Sequence, residues 1–191
     1  MKTLTTSLKI FLFFTVLTGI IYPLAVTGIA QLAFPSKSNG SLIVRNEKAV
    51  GSELLGQQFV STIYFSPRPS AIAYNTLPSG GSNLGLTSVK LTKVVEERKK
   101  QFLGFNQLAS NTNIPSEMLF ASASGLDPHI SPEAALLQVN RIAGARLLTS
   151  TQKQKLLQLI EQHTEKPQFY CLGQKRVNVL LLNLGLDALL K

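Results

Sequence analysis

The sequence predicts an α+β fold: a single N-terminal transmembrane helix, then one extracytoplasmic domain of short strands and three or four helices. Three observations predict it. A long uncharged apolar run opens the chain, helix-start signals recur after it, and short β-branched pieces lie between them.

From Ile10 to Ser36 no residue is charged. This exceeds the roughly 20 apolar residues that a bilayer-spanning helix needs. The expected division is a cytoplasmic N-terminus over 1–9, a transmembrane helix over 10–34, and an extracytoplasmic α+β domain over 35–191. Pro23, Gly19 and Gly28 would weaken a soluble helix, but in a bilayer neighbouring helices re-satisfy freed backbone groups. Gly19 and Gly28 also offer small surfaces to an approaching helix. A cleaved signal peptide is the alternative, because Lys2 and Lys9 precede the run and Gly28-Ile29-Ala30 is a small-x-small site. The run outlasts an ordinary signal core and continues to Phe34, which favours an uncleaved anchor. Flanking charge adds little to the orientation, since Lys2 and Lys9 face Lys37, Arg45 and Lys48.

Residues 37–41 read as a polar linker. Leu42 to Val44 and Lys48 to Val50 are β-like pieces around Arg45-Asn46-Glu47, a hairpin pattern. Phe59 to Phe65 mixes β-branched and aromatic residues until Pro67 and Pro69 stop it. Residues 66–88 are rich in Pro, Gly, Ser and Asn; Tyr74, Leu77 and Leu84 spaced through them favour an ordered loop.

Ser88 is placed to cap a helix from about Val89 to Leu103, with Leu91, Val94, Val95, Arg98 and Phe102 on one face. Ser131-Pro132-Glu133 is a helix start: a serine cap, proline at the first position, and an acid at the positive end. Leu136, Val139, Ile142, Ala143 and Leu147 then form its apolar stripe, with Gln138, Asn140 and Arg141 largely off it. Thr149 or Ser150 caps a further helix with Leu156, Leu159 and Ile160 inward. In the tail, Val177 and Val179 alternate like a strand, while Leu182, Leu186 and Leu189 suit a helix.

The single cysteine, Cys171, excludes an internal disulfide, so the domain must rely on its core. Cys171 itself is expected to be a small buried hydrophobe beside Phe169 and Tyr170. The net charge is +9, clustered only at Arg98-Lys99-Lys100 and Lys175-Arg176, and there is no tryptophan. Nucleic acid is therefore not expected as a partner; a lipid bilayer with anionic headgroups, or an acidic partner, fits better.

Polar chemistry is densest in Ser122-Ala-Ser-Gly-Leu-Asp-Pro-His-Ile-Ser-Pro-Glu-Ala-Ala135. Ser124, Asp127 and His129 are the residue types of a hydrolytic triad, which gives a membrane-anchored extracytoplasmic hydrolase as the alternative function. Triad members normally meet from distant points in sequence, and no G-x-S-x-G elbow is present. A rigid turn feeding a helix is the favoured reading. Asp127, His129, His163 and Cys171 lack zinc spacing, so no metal is expected. Ser79-Gly-Gly-Ser-Asn-Leu-Gly85 lacks the ending of a phosphate-binding loop. Arg68, fixed between Pro67 and Pro69, reads equally as a buried structural arginine or an interface arginine.

The ordered set of motifs carries a resemblance. After one span come Tyr64-Phe65-x-x-Arg68-Pro69-Ser70-Ala71, Tyr74-Asn75, the glycine-rich run and the Ser122–Ala135 run. Gln138, Arg141 and Arg146 follow, then Val177-Asn178-Val179-Leu180 and Leu182-Asn183-Leu184. In this order the chain resembles the C subunit of the Kdp-type potassium-transporting P-type ATPase over almost its whole length. One departure is Leu86-Thr87-Ser88, where that family usually shows Pro-Thr-Asn.

The resemblance implies an accessory subunit in a bacterial inner (plasma) membrane, single-pass, with its main domain outside. It implies three partners: an ATP-hydrolysing P-type subunit, a channel-like potassium-binding subunit and a very small membrane subunit. It also implies a catalytic chaperone that raises the ATP affinity of the hydrolysing subunit. No cofactor is expected on the chain itself; ATP acts through the partner subunit or is met weakly. Neither an Asp-Lys-Thr-Gly-Thr phosphorylation motif nor a Thr-Val-Gly-Tyr-Gly filter occurs, so no catalytic residue is expected. The partner-binding candidates are Gly19, Gly28, Arg68, Tyr74, Asn75, Asp127 and His129. Ser79, Gly80, Gly81, Ser82 and Gln138 are candidates for the effect on nucleotide affinity.

Overall fold

A computed structural model of the chain describes residues 2–45 and 47–189. Met1, Asn46, Leu190 and Lys191 lie outside them, and with them the middle of the expected hairpin turn and the end of the tail element. The chain divides into two compact units, Met1–Ser52 and Glu53–Lys191.

The first unit is led by an apolar helix over Lys2–Ala33, long and apolar enough to cross a membrane. It runs as α1 (Lys2–Val16), a π-helical turn (Leu17–Ile21) and α2 (Tyr22–Ala33). The wide turn sits where Pro23 withdraws the donor that the Gly19 carbonyl would otherwise take. The Thr15 and Thr18 hydroxyls donate to the carbonyls of Phe11 and Phe14, so both are satisfied within the helix. A one-turn helix, α3 (Pro35–Ser38), replaces part of the expected linker. Strands β1 (Leu42–Arg45) and β2 (Lys48–Ser52) then pair antiparallel as the expected hairpin.

The second unit contains α4 (Val89–Asn106), a 3-10 turn (Ser116–Met118), β3 (His129–Ile130), α5 (Pro132–Ala145) and α6 (Ser150–Gln162). Strands β4 (Thr164–Glu165) and β5 (Arg176–Asn178) and the helix α7 (Val179–Leu189) complete it. The sheet order is β3-β5-β4, with β5 antiparallel to both neighbours. Phe65, Ile142, Leu156, Val177, Leu182 and Leu186 are fully buried in the core between helices and sheet.

The helix starts follow their caps. Ser88 Oγ accepts the Leu91 N–H, Ser131 Oγ the Ala134 N–H, and Thr149 Oγ1 the Gln152 N–H. At Thr149 the Gln152 side chain returns the bond, closing a capping box. The tail resolves into both of its periodicities in turn: strand to Asn178, helix from Val179.

Four expectations are corrected. Leu136, placed on the inward stripe of α5, is 49% exposed, while Gln138 and Arg141, placed off it, are 0% and 5% exposed. Cys171 is exposed, not buried. Along α5 side-chain polarity misjudged the inward direction, because Gln138 and Arg141 answer to backbone far away in sequence.

Candidate functional site

A strap of chain, residues 62–70, a turn at its start and without regular structure beyond it, crosses the inner faces of α5 and α7. Its central backbone groups are buried and lack a neighbouring strand, so they need other partners. Two side-chain amides supply them. Asn183 Oδ1 accepts the Phe65 N–H at 2.8 Å, and its Nδ2 donates to the Phe65 carbonyl at 3.0 Å. Gln138 Oε1 accepts the Ser66 N–H at 2.7 Å, and its Nε2 donates to the Ser66 carbonyl at 3.2 Å. Asn183 and Gln138 thus stand in for a strand's edge.

Two arginines of α5 and its C-cap hold the strap's start. Arg141 donates to the Thr62 carbonyl, to Asn106 Oδ1 at 2.9 Å and to Gln138 Oε1 at 2.9 Å. Its guanidinium lies over the Phe105 ring, 4.4 Å from the centroid. Burial pulls its pKa down to about 10, which leaves it charged at neutral pH. Arg146 donates to the Ile63 carbonyl at 2.8 Å and to Asp187 Oδ1 at 2.7 Å, and the Tyr64 hydroxyl donates to Asp187 Oδ2 at 3.0 Å.

The strap's end meets the Ser122–Ala135 run. Arg68 Nη1 donates to Asp127 Oδ2 at 2.6 Å, and the His129 N–H donates to Asp127 Oδ1 at 3.0 Å. His129 Nδ1 lies 3.5 Å from the same oxygen. Burial alone would raise the Asp127 carboxyl, but the His129 bonds and the Arg68 guanidinium outweigh it and bring the pKa down to about 2. The Tyr74 hydroxyl donates to the Arg68 carbonyl, and burial pushes its pKa up to about 12. Ser70 Oγ accepts the N–H groups of Ile72 and Tyr74, and Asn75 Oδ1 accepts that of Leu77.

The glycine-rich run packs on the same turn. The Gly80 N–H donates to the Ser124 carbonyl at 3.0 Å. A Cβ on Gly81 would lie 3.2 Å from the Ala123 carbonyl oxygen. Gly125, at φ +69°, has room for no side chain: a Cβ would stand 2.6 Å from Ile72 Cγ1. On the other flank the Gly56 N–H donates to the Leu126 carbonyl at 2.7 Å.

The structure therefore brings Arg68, Tyr74, Asn75, Asp127 and His129 into one linked pair of loops, and Ser79, Gly80, Gly81 and Ser82 beside them. Gln138 belongs elsewhere, buried beneath Ser66. Gly19 and Gly28 lie in the apolar helix, where a Cβ at either would meet nothing within 4 Å. Ser124 Oγ accepts the Leu126 N–H, and the Asp127 carboxylate is taken by Arg68 and the His129 backbone. These bonds make a stiff turn.

Beside this turn lies a polar cleft of about 610 Å³, lined by Arg68, Asp127, His129, Lys166 and Lys175. A more apolar one of about 730 Å³ is lined by Phe59, Pro67, Tyr74, Arg98, Phe102 and Phe105. Among the described residues no three His, Cys, Asp or Glu side chains gather as a metal site.

Sequence reasoning missed Asn106, Asn183 and Asp187 as parts of this network. The signal for Asn183 was an amide alone among leucines in an otherwise apolar stretch of α7.

Comparison with known proteins places these features in a wider set. The family model of KdpC, the K+-transporting ATPase c chain, matches residues 4–188. The potassium-transporting ATPase KdpC subunit of Leptospira interrogans serogroup Icterohaemorrhagiae is 47% identical over 182 residues, covering 95% of this chain and 92% of that protein. Its counterpart in Geobacter metallireducens is 48% identical over 182 residues, covering 93% of each. That of Dechloromonas aromatica is 46% identical over the full length of both chains.

Proposed function

The chain belongs to the KdpC family of K+-transporting ATPase c chains, and from that premise we propose that it is the accessory subunit of an ATP-driven potassium uptake complex. It crosses the bacterial inner membrane once over residues 10–34, with residues 1–9 in the cytoplasm and the domain of 35–191 outside. It carries no chemistry of its own. It supports assembly with an ATP-hydrolysing P-type subunit, a channel-like potassium-binding subunit and a very small membrane subunit. It acts as a catalytic chaperone, raising the hydrolysing subunit's affinity for ATP.

The observation that carries this reading is the Arg68–Asp127 pair and the bonds around it, which lock two polar loops into one rigid surface. Such a surface is suited to docking, because its loops are ordered before a partner arrives. The partner-binding residues are Gly19, Gly28, Arg68, Tyr74, Asn75, Asp127 and His129. ATP reaches this subunit's influence only through the partner: the loops lie outside, nucleotide lies inside, and the effect travels as a coupling free energy, typically about 1–3 kcal/mol. Ser79 to Ser82 accordingly shape the docking surface and do not hold nucleotide.

Purification of the tagged chain from native membranes tests the reading. A P-type ATPase is expected to accompany it, and ATP affinity at equilibrium is expected to fall roughly 5- to 150-fold in complexes lacking the chain. A chain that purifies without an ATPase overturns it.

A further inference from the structure

The loop joining β4 to β5, residues 166–175, displays two adjacent aromatic side chains at its tip. At its base Glu165 pairs with Arg176 in the strand register, and Arg176 Nε donates to Glu165 Oε2 at 2.8 Å. Further out, Gln168 and Leu172 exchange two backbone hydrogen bonds of 2.9 Å. The Tyr170 N–H donates to the Pro167 carbonyl and the Cys171 N–H to that of Gln168. Phe169, Tyr170 and Cys171 are left at a pinned apex.

Phe169 is 84% exposed and Tyr170 85%, and both have left-handed backbone, at φ 52° and 62°. Bulky residues seldom occupy that region. Leu172 beside them is 58% exposed and Cys171 is exposed. Lys166 and Lys175 bracket the apex, both exposed. Neither has an ion-pair partner among the described residues.

We propose that this loop binds a lipid surface, its aromatic apex entering the headgroup layer of an anionic bilayer while Lys166 and Lys175 meet lipid phosphates. Aromatic side chains favour the membrane–water boundary, and lysines beside it are drawn to anionic lipid. The net charge of +9 acts in the same direction. The chain also carries a helix able to span the bilayer, which keeps the loop tethered to a lipid surface. A protein partner fits less well, since interfaces are depleted in lysine and this apolar apex is only a few residues across. The proposal goes beyond the pump-subunit reading and rests on it only for the membrane anchor.

Cys171 is the sole cysteine, so an environment-sensitive fluorophore attached there reports on the apex of the full chain. The chain is reconstituted into vesicles of phosphatidylethanolamine with phosphatidylglycerol. Blue-shifted emission and quenching by spin-labelled lipid are expected. Both are lost in a Phe169→Ser, Tyr170→Ser double variant, and reduced in Lys166→Gln, Lys175→Gln or in phosphatidylcholine alone, with the thermal midpoint unchanged. Water-like emission in the anionic vesicles overturns the proposal. So does emission that shifts only when the partner subunits are added, which assigns the apex to a protein contact. Flotation reads the anchor separately: a floating chain with a water-like probe overturns the loop alone, and a chain that does not float overturns both.

Discussion

Gln138 and Asn183, on different helices, bond the backbones of two adjacent residues, Ser66 and Phe65, through both atoms of each amide. Two helices are thereby fastened to one strap, and the strap delivers Arg68 to Asp127. The docking loops inherit their geometry from this buried pairing.

Asn183→Leu keeps the volume but strands the Phe65 N–H and carbonyl in the core. Each orphaned group costs about 1–3 kcal/mol. The thermal midpoint should fall clearly. Gln138→Leu should behave alike, and the double variant should lose less than the sum, because both amides serve the same strap.

The Asp127 carboxylate, held by the His129 bonds and the Arg68 guanidinium, makes stability depend on pH in a set direction. The folded carboxyl titrates near 2 against an ordinary value of 3.8. Between these values the unfolded chain binds more protons, so the contribution is complete above about pH 4 and fades as pH falls toward 2. Thermal midpoints measured across that interval should drop in the natural chain, and Asp127→Asn should flatten the drop.

Gly125→Ala and Gly80→Ala make a matched test of the loop contact. At Gly125 an added methyl meets Ile72 and needs left-handed backbone, a conformation costing about 1–2 kcal/mol before any clash. At Gly80 it meets nothing within 4 Å. Gly125→Ala should destabilise, while Gly80→Ala should stay within about 0.5 kcal/mol of the parent.

Replacing Arg146 by lysine keeps the charge and loses the fork. Lysine cannot reach the Ile63 carbonyl and Asp187 together while lying over Tyr64, whose ring centroid is 4.9 Å from the guanidinium carbon. The variant should melt lower than the parent. A cycle with Asp187→Asn should show coupling between the two side chains.

Gly19→Leu and Gly28→Leu carry the functional test. A bulky side chain at either should lower the recovery of partner subunits in pull-downs. The midpoint of the 53–191 unit should stay unchanged, because neither glycine belongs to it.

What could be read from the sequence was local. Ser88, Ser131 and Thr149 announce their helices because a cap and the amide it accepts lie three residues apart. The apolar span and the β1–β2 hairpin are equally local. The strap was invisible for the opposite reason: Asn183 and Gln138 reach backbone 118 and 72 residues away. Hydrophobic periodicity turns polar side chains outward by default, so it sent Gln138 and Arg141 to the surface and Leu136 to the core. Cys171 was misjudged through its aromatic neighbours, which the β4–β5 loop holds open.

The apolar helix has a further consequence in its angular spacing. Gly19 and Gly28 are separated by about two and a half helical turns. The π-helical turn at Leu17–Ile21 trims that angle without bringing the two glycines to one side. Their notches open in different directions, so a single neighbouring helix cannot fill both. Helices packed into the two notches would therefore lie on different sides of the span, and a longer side chain at either glycine would displace only the helix on its own side.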